Sequence, residues 1–214
     1  MEILGCVLVG YLIGAFSPSY ILGAFGGVDI RKKGSGNAGA TNVMIVFGKA
    51  AGVVCALLDI AKACLAIWMA GKLFPDFAYS FAITGASCIL GHIFPFYMKF
   101  KGGKGLACLG GVILMTDARL FLVMISLELV LVLIVNYLCI VPMSASVAYA
   151  FIYGAIHQDV LGMLIFMVVA VVMCLKHVDN LKRIQNGTEV HFSYLWNKEK
   201  EIARIKENGA TEGK

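Results

Sequence analysis

The run Ala50-Ala51-Gly52-Val53-Val54-Cys55-Ala56-Leu57-Leu58-Asp59-Ile60-Ala61-Lys62-Ala63-Cys64-Leu65-Ala66-Ile67-Trp68-Met69-Ala70-Gly71 decides the fold. A helix needs about 20 mostly apolar residues to cross a bilayer, and this run has the length with only two charges, Asp59 and Lys62. Those two stand three apart, on one helix face, where they can pair. Outward from this run, similar stretches cover Ile3–Ala24, Phe77–Met98, Gly105–Met115, Leu120–Leu138, Ser144–Ile156 and Val160–Leu175. Gly105–Met115 and Ser144–Ile156 are short, since a dozen helical residues reach about 18 Å against a hydrocarbon core of about 30 Å. The expected fold class is an all-α polytopic membrane protein with seven transmembrane helices.

Composition agrees. Of 214 residues, 60% are hydrophobic and 14% charged, with mean hydropathy +0.85. Soluble domains average about 45–50% apolar and about 25% charged. So few charges could not cover so apolar a chain in water. A disordered chain, a nucleic-acid module and a disulfide-stapled secreted fold are excluded on the same ground. The cysteines, Cys6, Cys55, Cys64, Cys88, Cys108, Cys139 and Cys174, are odd in number and show no CxxC spacing. They read as small hydrophobes in the bilayer, with no metal ligation expected. The stretch from Met1 to Phe25 has no basic n-region and reads as a first span, not a signal peptide.

Charge sets sidedness. The loops Arg31–Lys33 and Lys99–Lys104 and the tail from Lys176 hold 14 of the 18 lysines and arginines. Seven spans put all three on one side. The positive-inside rule then places the N-terminus outside and the tail in the cytoplasm, with Lys72 and Arg119 opposite. The expected organisation is a seven-helix domain over 1–176 and a cytoplasmic tail over 177–214, whose first part completes the site. Within the tail, Lys198–Lys206 reads as a short amphipathic helix.

The polar motifs lie on that same side. The first loop reads Gly34-Ser35-Gly36-Asn37-Ala38-Gly39-Ala40-Thr41-Asn42, small residues alternating with hydrogen-bonding ones. Such a loop can form an anion nest or simply a tight turn and a helix cap. The second reads Lys99-Phe100-Lys101-Gly102-Gly103-Lys104-Gly105 and runs into an apolar helix. It lacks the spacing of the nucleotide P-loop. Its glycines, lysines and the helix N-terminus that follows nevertheless suit a phosphate. The third, Lys176-His177-Val178-Asp179-Asn180-Leu181-Lys182-Arg183, places His177 and Asn180 on one face of a helix. Together they describe an interfacial site for phosphate-bearing substrates, with apolar helices beside it for a lipid chain. Asp59, Lys62, His92 and Glu128 fall within spans; bonds to neighbouring helices are expected for them, and Glu128 has no obvious local partner.

At these residues the chain resembles the bacterial membrane acyl-phosphate:glycerol-3-phosphate acyltransferase family, PlsY. The resemblance rests on Gly34–Asn37 through Val43, Gly48 and Lys49; on Leu90-Gly91-His92-Ile93-Phe94-Pro95 through Gly105; and on His177 and Asn180 through Asn186-Gly187-Thr188-Glu189. It implies acyl transfer from an acyl phosphate to the 1-hydroxyl of glycerol 3-phosphate, giving lysophosphatidic acid in phospholipid biosynthesis at the bacterial cell membrane. By resemblance Ser35, Lys104, His177 and Asn180 are catalytic. Gly34, Ser35, Gly36, Asn37, Lys101, Gly102, Gly103, Lys104, Gly105, His177 and Asn180 hold the substrates. The resemblance calls for no cofactor, no metal, no nucleic acid and no obligate protein partner. His177 and a substrate phosphate oxygen are both candidates for the base.

Three departures stand out. The family's arginine after the first motif is Ile45, its Arg-Tyr-Val-Ser-Leu loop is Cys139-Ile140-Val141-Pro142-Met143, and its His-Arg-Glu-Asn is His177-Val178-Asp179-Asn180. Two other readings stay open: an acyl-phosphate-dependent transferase with another hydroxyl acceptor, and a small organic-phosphate transporter. Against the transporter, the polar motifs lie on one side, whereas alternating access needs groups near the midplane.

Overall fold

A computed structural model describes residues 1–211; the last residues of the expected 177–214 tail, 212–214, lie outside the described residues. Every regular element among the described residues is helical. In chain order the α-helices are α1 (Glu2–Ala15), α2 (Pro18–Phe25), α3 (Ala40–Phe47), α4 (Lys49–Leu73), α5 (Ser80–Ile93), α6 (Leu106–Thr116), α7 (Ala118–Val135), α8 (Val141–His157), α9 (Val160–Leu175), α10 (Val178–Gln185) and α11 (Lys198–Thr211).

Local chemistry explains where these helices stop. The expected first span breaks after Phe16, where Ser17 caps α2 through its Oγ to the Tyr20 N–H (3.3 Å) and Pro18 takes the first helical position. Asp117 caps α7 by accepting from the N–H groups of Arg119 and Leu120, and Asp159 caps α9 by accepting from Gly162. Asn136 and Gln158 end α7 and α8 in the left-handed region, at φ 62° and 50°.

Five helical stretches are long and apolar enough to cross a membrane: Glu2–Phe25, Lys49–Leu73, Ser80–Met98, Ala118–Val135 and Leu138–His157. The α9–α10 pair, bent by 42°, adds a sixth when the two helices are counted as one span. The seven-span expectation is therefore met at the level of a polytopic helical protein. The short fourth run forms α6, only 11 residues and about 16 Å long. The short sixth run lengthens to Leu138–His157 because the turn before α8 is itself helical.

The helix α5 lies at the centre, packed against α1, α4, α6 and α9. Small residues allow the close approach that membrane helices use in place of a hydrophobic drive. Gly10 and Gly14 of α1 lie on the α5 backbone at Thr84 and Cys88, and Gly91 of α5 lies on the α1 backbone at Tyr11. The interior between α5, α6, α8 and α9 is filled by Ile89, Leu109, Val112, Tyr149, Phe166 and Met173, all fully buried. By contrast α7 presents Leu122, Leu129, Leu133 and Ile134 outward, as a lipid-facing helix does. Glu128, on this outer helix, accepts from the Ser144 hydroxyl of α8 at 2.8 Å, which supplies the partner its local sequence lacks.

Candidate active site

The first polar loop is held in place by its own side chains. Asp29 Oδ1 accepts from the N–H of Arg31, and the Arg31 guanidinium bonds both Asp29 oxygens. Those bonds to Arg31 hold the Asp29 carboxyl below its usual range. Arg31 also donates to the Met98 carbonyl at 2.8 Å, tying the first loop to the second. Asn42, one of the hydrogen-bonding residues of this loop, is fully buried and serves the loop itself. Its Oδ1 accepts from the Ser35 N–H (2.7 Å), while its amide donates to the carbonyls of Ile30 and Lys33. Gly34 and Gly36, at φ 58° and 74°, make the turn. The outcome is a rigid platform that leaves Ser35 and Gly36 exposed and Asn37 half-buried.

The second loop doubles back on α5. Lys99 and Phe100 both have positive φ, 54° and 57°, a costly conformation for a bulky residue. The bend returns the chain over the end of α5, so that Gly102 N–H donates to the Ile93 carbonyl and Gly103 N–H to that of His92. Both amides are thus engaged by α5, and these glycines shape the loop. The backbone N–H groups of Lys104, Gly105, Leu106 and Ala107, by contrast, have no acceptor among the described residues. They open α6, where the helix dipole adds positive potential.

The third segment meets the second through side chains. Lys104 Nζ donates to Asn180 Oδ1. The Asn180 amide donates to Glu189 Oε1 at 2.6 Å, and Arg183 Nε donates to Glu189 Oε2 at 2.7 Å. Burial and the neighbouring Arg183 push the Lys104 ammonium below the usual lysine range, against the pull of Glu189. His177 is 2% exposed, and its Nδ1 lies 2.7 Å from the Met173 carbonyl. A carbonyl only accepts, so Nδ1 carries the proton and a neutral His177 keeps a lone pair on Nε2.

Glu189 and Arg183 are the residues that sequence reasoning named only as flanks of a motif. A usable signal was present. Asn186-Gly187 closes α10 in a Schellman turn, with Gly187 at φ 66° and the N–H groups of Gly187 and Thr188 on the carbonyls of Ile184 and Arg183. Such a turn folds residue 189 back over the last helical turn. The tail beyond is a strap. Arg204 donates to the carbonyls of Gly187 and Glu189, Glu201 accepts from the His191 N–H, and His191 Nε2 lies 3.1 Å from the Tyr137 hydroxyl.

Lys104 therefore stands with His177 and Asn180, flanked in its loop by Gly102, Gly103 and Gly105, while Lys101 is exposed with its N–H on the Met98 carbonyl. Gly34, Ser35, Gly36 and Asn37 stand on the adjoining loop, linked through Arg31 and Met98. The three departures from the family pattern are also placed. Ile45 lies half-buried on α3, the Cys139 thiol lies beside Glu189 and Lys104, and Val178 is exposed at the start of α10. An apolar groove of about 640 Å³, lined by Leu12, Phe16, Tyr20, Phe25, Phe96 and Tyr97 among others, borders the second loop. Asp59, His92 and Cys108 bring a carboxylate, an imidazole and a thiol within 4.8 Å of one another, but the Lys62 ammonium already stands against the first two, as a cation would.

This geometry has known counterparts. The sequence profile of the glycerol-3-phosphate acyltransferase family matches residues 4–187. A glycerol-3-phosphate acyltransferase of Exiguobacterium sibiricum is 37% identical over 206 residues, covering 88% of this chain and 93% of that protein. One from Lactiplantibacillus plantarum is 34% identical, covering 95% of this chain and all of its own length (100%). Among solved structures, the crystal structure of PlsY (YgiH), an integral membrane glycerol 3-phosphate acyltransferase, is similar in two forms. Its glycerol 3-phosphate form superposes with a TM-score of 0.83 at 29% identity, covering 91% of this chain and 98% of that one. Its lysophosphatidic acid form gives 0.80, with 91% and 97% coverage.

Proposed function

The chain belongs to the glycerol-3-phosphate acyltransferase family, and from that premise we propose that it transfers a fatty acyl group from an acyl phosphate to the 1-hydroxyl of glycerol 3-phosphate, giving lysophosphatidic acid. The observation that carries this reading is the Lys104 cluster: an ammonium held by Asn180, beside the α6 amides that have no acceptor among the described residues, and near enough to His177 to help burial hold that imidazole neutral. An acyl phosphate is already activated, so the site needs to align a hydroxyl with a carbonyl and stabilise a departing phosphate. The glycerol hydroxyl oxygen forms the new bond to the acyl carbon. The acyl carbon–oxygen bond to phosphate breaks, and phosphate leaves with the electron pair. The hydroxyl proton passes to the lone pair of His177 Nε2 or to a phosphate oxygen.

In this reading Lys101 to Gly105 cradle phosphate, with Lys104 and the amides of α6 making the contacts. Ser35 and Asn37, with Gly34 and Gly36 shaping their loop, orient the second substrate. The acyl chain lies among the apolar helices. The domain 1–176 supplies seven membrane-crossing segments, with α6 as the fourth, N-terminus outside. The tail 177–214 lies in the cytoplasm of a bacterium, at its cell membrane. The 14-of-18 bias of lysine and arginine supports that orientation.

A second reading, transfer to another hydroxyl acceptor, is favoured by one observation. Ile45, Cys139 and Val178 are neutral where the resemblance calls for basic side chains, and each charged contact to phosphate is typically worth ~1.5–3 kcal/mol. Purified protein given palmitoyl phosphate with glycerol 3-phosphate or other polyols, and palmitoyl-CoA as control donor, tests both. Product with glycerol 3-phosphate and the acyl phosphate alone is expected. Preference for another acceptor selects the second reading.

A further inference from the structure

A charged cluster lies beneath the glycine-lysine loop, inside the membrane-spanning helices. Asp59 and Lys62 of α4 are 1% and 5% exposed, and His92 of α5 is 5% exposed. Removing charges from water is costly, and a buried ion pair is commonly no more stable than apolar residues of the same volume. Ionisable groups kept in a span therefore call for a role.

The contacts of Lys62 give one. Its ammonium donates to the Phe16 carbonyl, stands 3.0 Å from His92 Nδ1, and pairs with Asp59 Oδ1 at 2.7 Å, an ionic contact without hydrogen-bond geometry. Phe16 stands at the break between α1 and α2. His92 Nδ1 also lies 3.3 Å from Asp59 Oδ1, so the ion pair grips the ring by its Nδ1 edge and leaves the Nε2 edge on the far side. That edge faces the loop: a Cβ added to Gly103 would collide with Nε2. His92 thus holds Gly103 twice, by its carbonyl, which accepts the Gly103 N–H at 3.1 Å, and by its ring, on which Gly103 rests. Lys104 is the next residue.

We propose that Asp59, Lys62 and His92 are positioning residues for the transfer reaction. The ion pair orients the imidazole, the imidazole sets the height of Gly103, and Gly103 sets the point from which Lys104 reaches the phosphate. None of the three touches substrate, because Gly103 lies between. The inference rests on the acyltransferase reading for its kinetic expression, while the loop geometry stands without it.

The test removes both charges together, as Asp59→Asn with Lys62→Met, which leaves no uncompensated buried ion. The double variant is expected to fold with a Tm close to that of the unaltered protein, since losing the buried ion pair offsets the lost bond to the Phe16 carbonyl. Its kcat/KM is expected to fall at least about tenfold, because displacement of a reacting group by ~1 Å costs up to ~100-fold. Amide hydrogen exchange at Gly102 and Gly103 is expected to quicken in the same protein, a readout independent of turnover. Should the double variant fail to fold, the pair Gly103→Ala and Gly103→Ala with His92→Ala decides. The alanine at 103 is expected to cost activity and to regain part of it once the ring is removed. A folded double variant with unaltered kcat/KM and exchange overturns the proposal, as does a Gly103→Ala defect that His92→Ala leaves untouched. Quickened exchange in a protein that transfers no acyl group to glycerol 3-phosphate supports the positioning and overturns the functional reading instead.

Discussion

Glu189→Gln is a nearly isosteric change with a large expected effect. The carboxylate accepts from Asn180 through one oxygen and from Arg183 through the other, and it is 8% exposed. Glutamine keeps one acceptor and puts an NH2 in place of the second. If its oxygen stays on Arg183, the NH2 faces the Asn180 amide, and Asn180 must turn over. The turned Asn180 then offers donors to Lys104, which is itself a donor. If the oxygen stays on Asn180, the Arg183 guanidinium loses its partner. Either way one charge-assisted hydrogen bond is lost, ~1.5–3 kcal/mol, or ~10–150-fold. The loss falls on kcat/KM, since it displaces the cation proposed to meet phosphate. Removing Glu189 also removes a charge that raises the Lys104 pKa, so that pKa falls further below its already lowered position. The ammonium exists below its pKa. Loss of activity on raising pH should therefore begin at a lower pH in Glu189→Gln than in the unaltered protein. The assay is kcat/KM against pH, with Asn180→Ala and the double variant completing a cycle. A Glu189→Gln protein within twofold of the original, or effects that add independently, refutes the chain Glu189–Asn180–Lys104.

Lys104→Ala should abolish turnover while the protein still inserts and keeps its Tm, read by product formation and thermal unfolding. Ile45→Arg should lower the KM for glycerol 3-phosphate roughly tenfold if one charged contact of about 1.4 kcal/mol is restored, with the KM for the acyl donor little changed. For Glu201, burial would raise the carboxyl, but Arg204 and the His191 N–H outweigh it and hold it at about 2. Its contribution to the strap is thus fully present above the ordinary value of 4.5 and lost as pH falls toward about 2. Trp196 fluorescence, followed through acid with and without Glu201→Gln, reads that loss.

Membrane class and the polar loops were legible because each rests on a local property. A run of twenty apolar residues announces itself, and Lys104 with its glycines, or His177 with Asn180, are close in sequence. What escaped depends on contacts between distant parts of the chain. Asn42 reads in sequence only as one of the first loop's hydrogen-bonding residues, and the fold shows its amide spent on Ile30 and Lys33. Gly102 and Gly103 suggested a phosphate nest, yet their amides belong to α5, 9 to 11 residues earlier. The partner of Glu128 is 16 residues away, and Lys62 meets His92 across 30. The short α6 was visible as a short run; the break of the first span at Phe16 was not, although Ser17-Pro18 is a helix-start signal.

In the proposed reaction this site joins an acyl phosphate to glycerol 3-phosphate through Lys104. The most direct measurement supplies purified protein with palmitoyl phosphate and glycerol 3-phosphate and follows lysophosphatidic acid and inorganic phosphate together. Equal molar amounts of the two products are predicted, with both lost in Lys104→Ala. Phosphate release without lysophosphatidic acid, or full product formation by a folded Lys104→Ala protein, would contradict it.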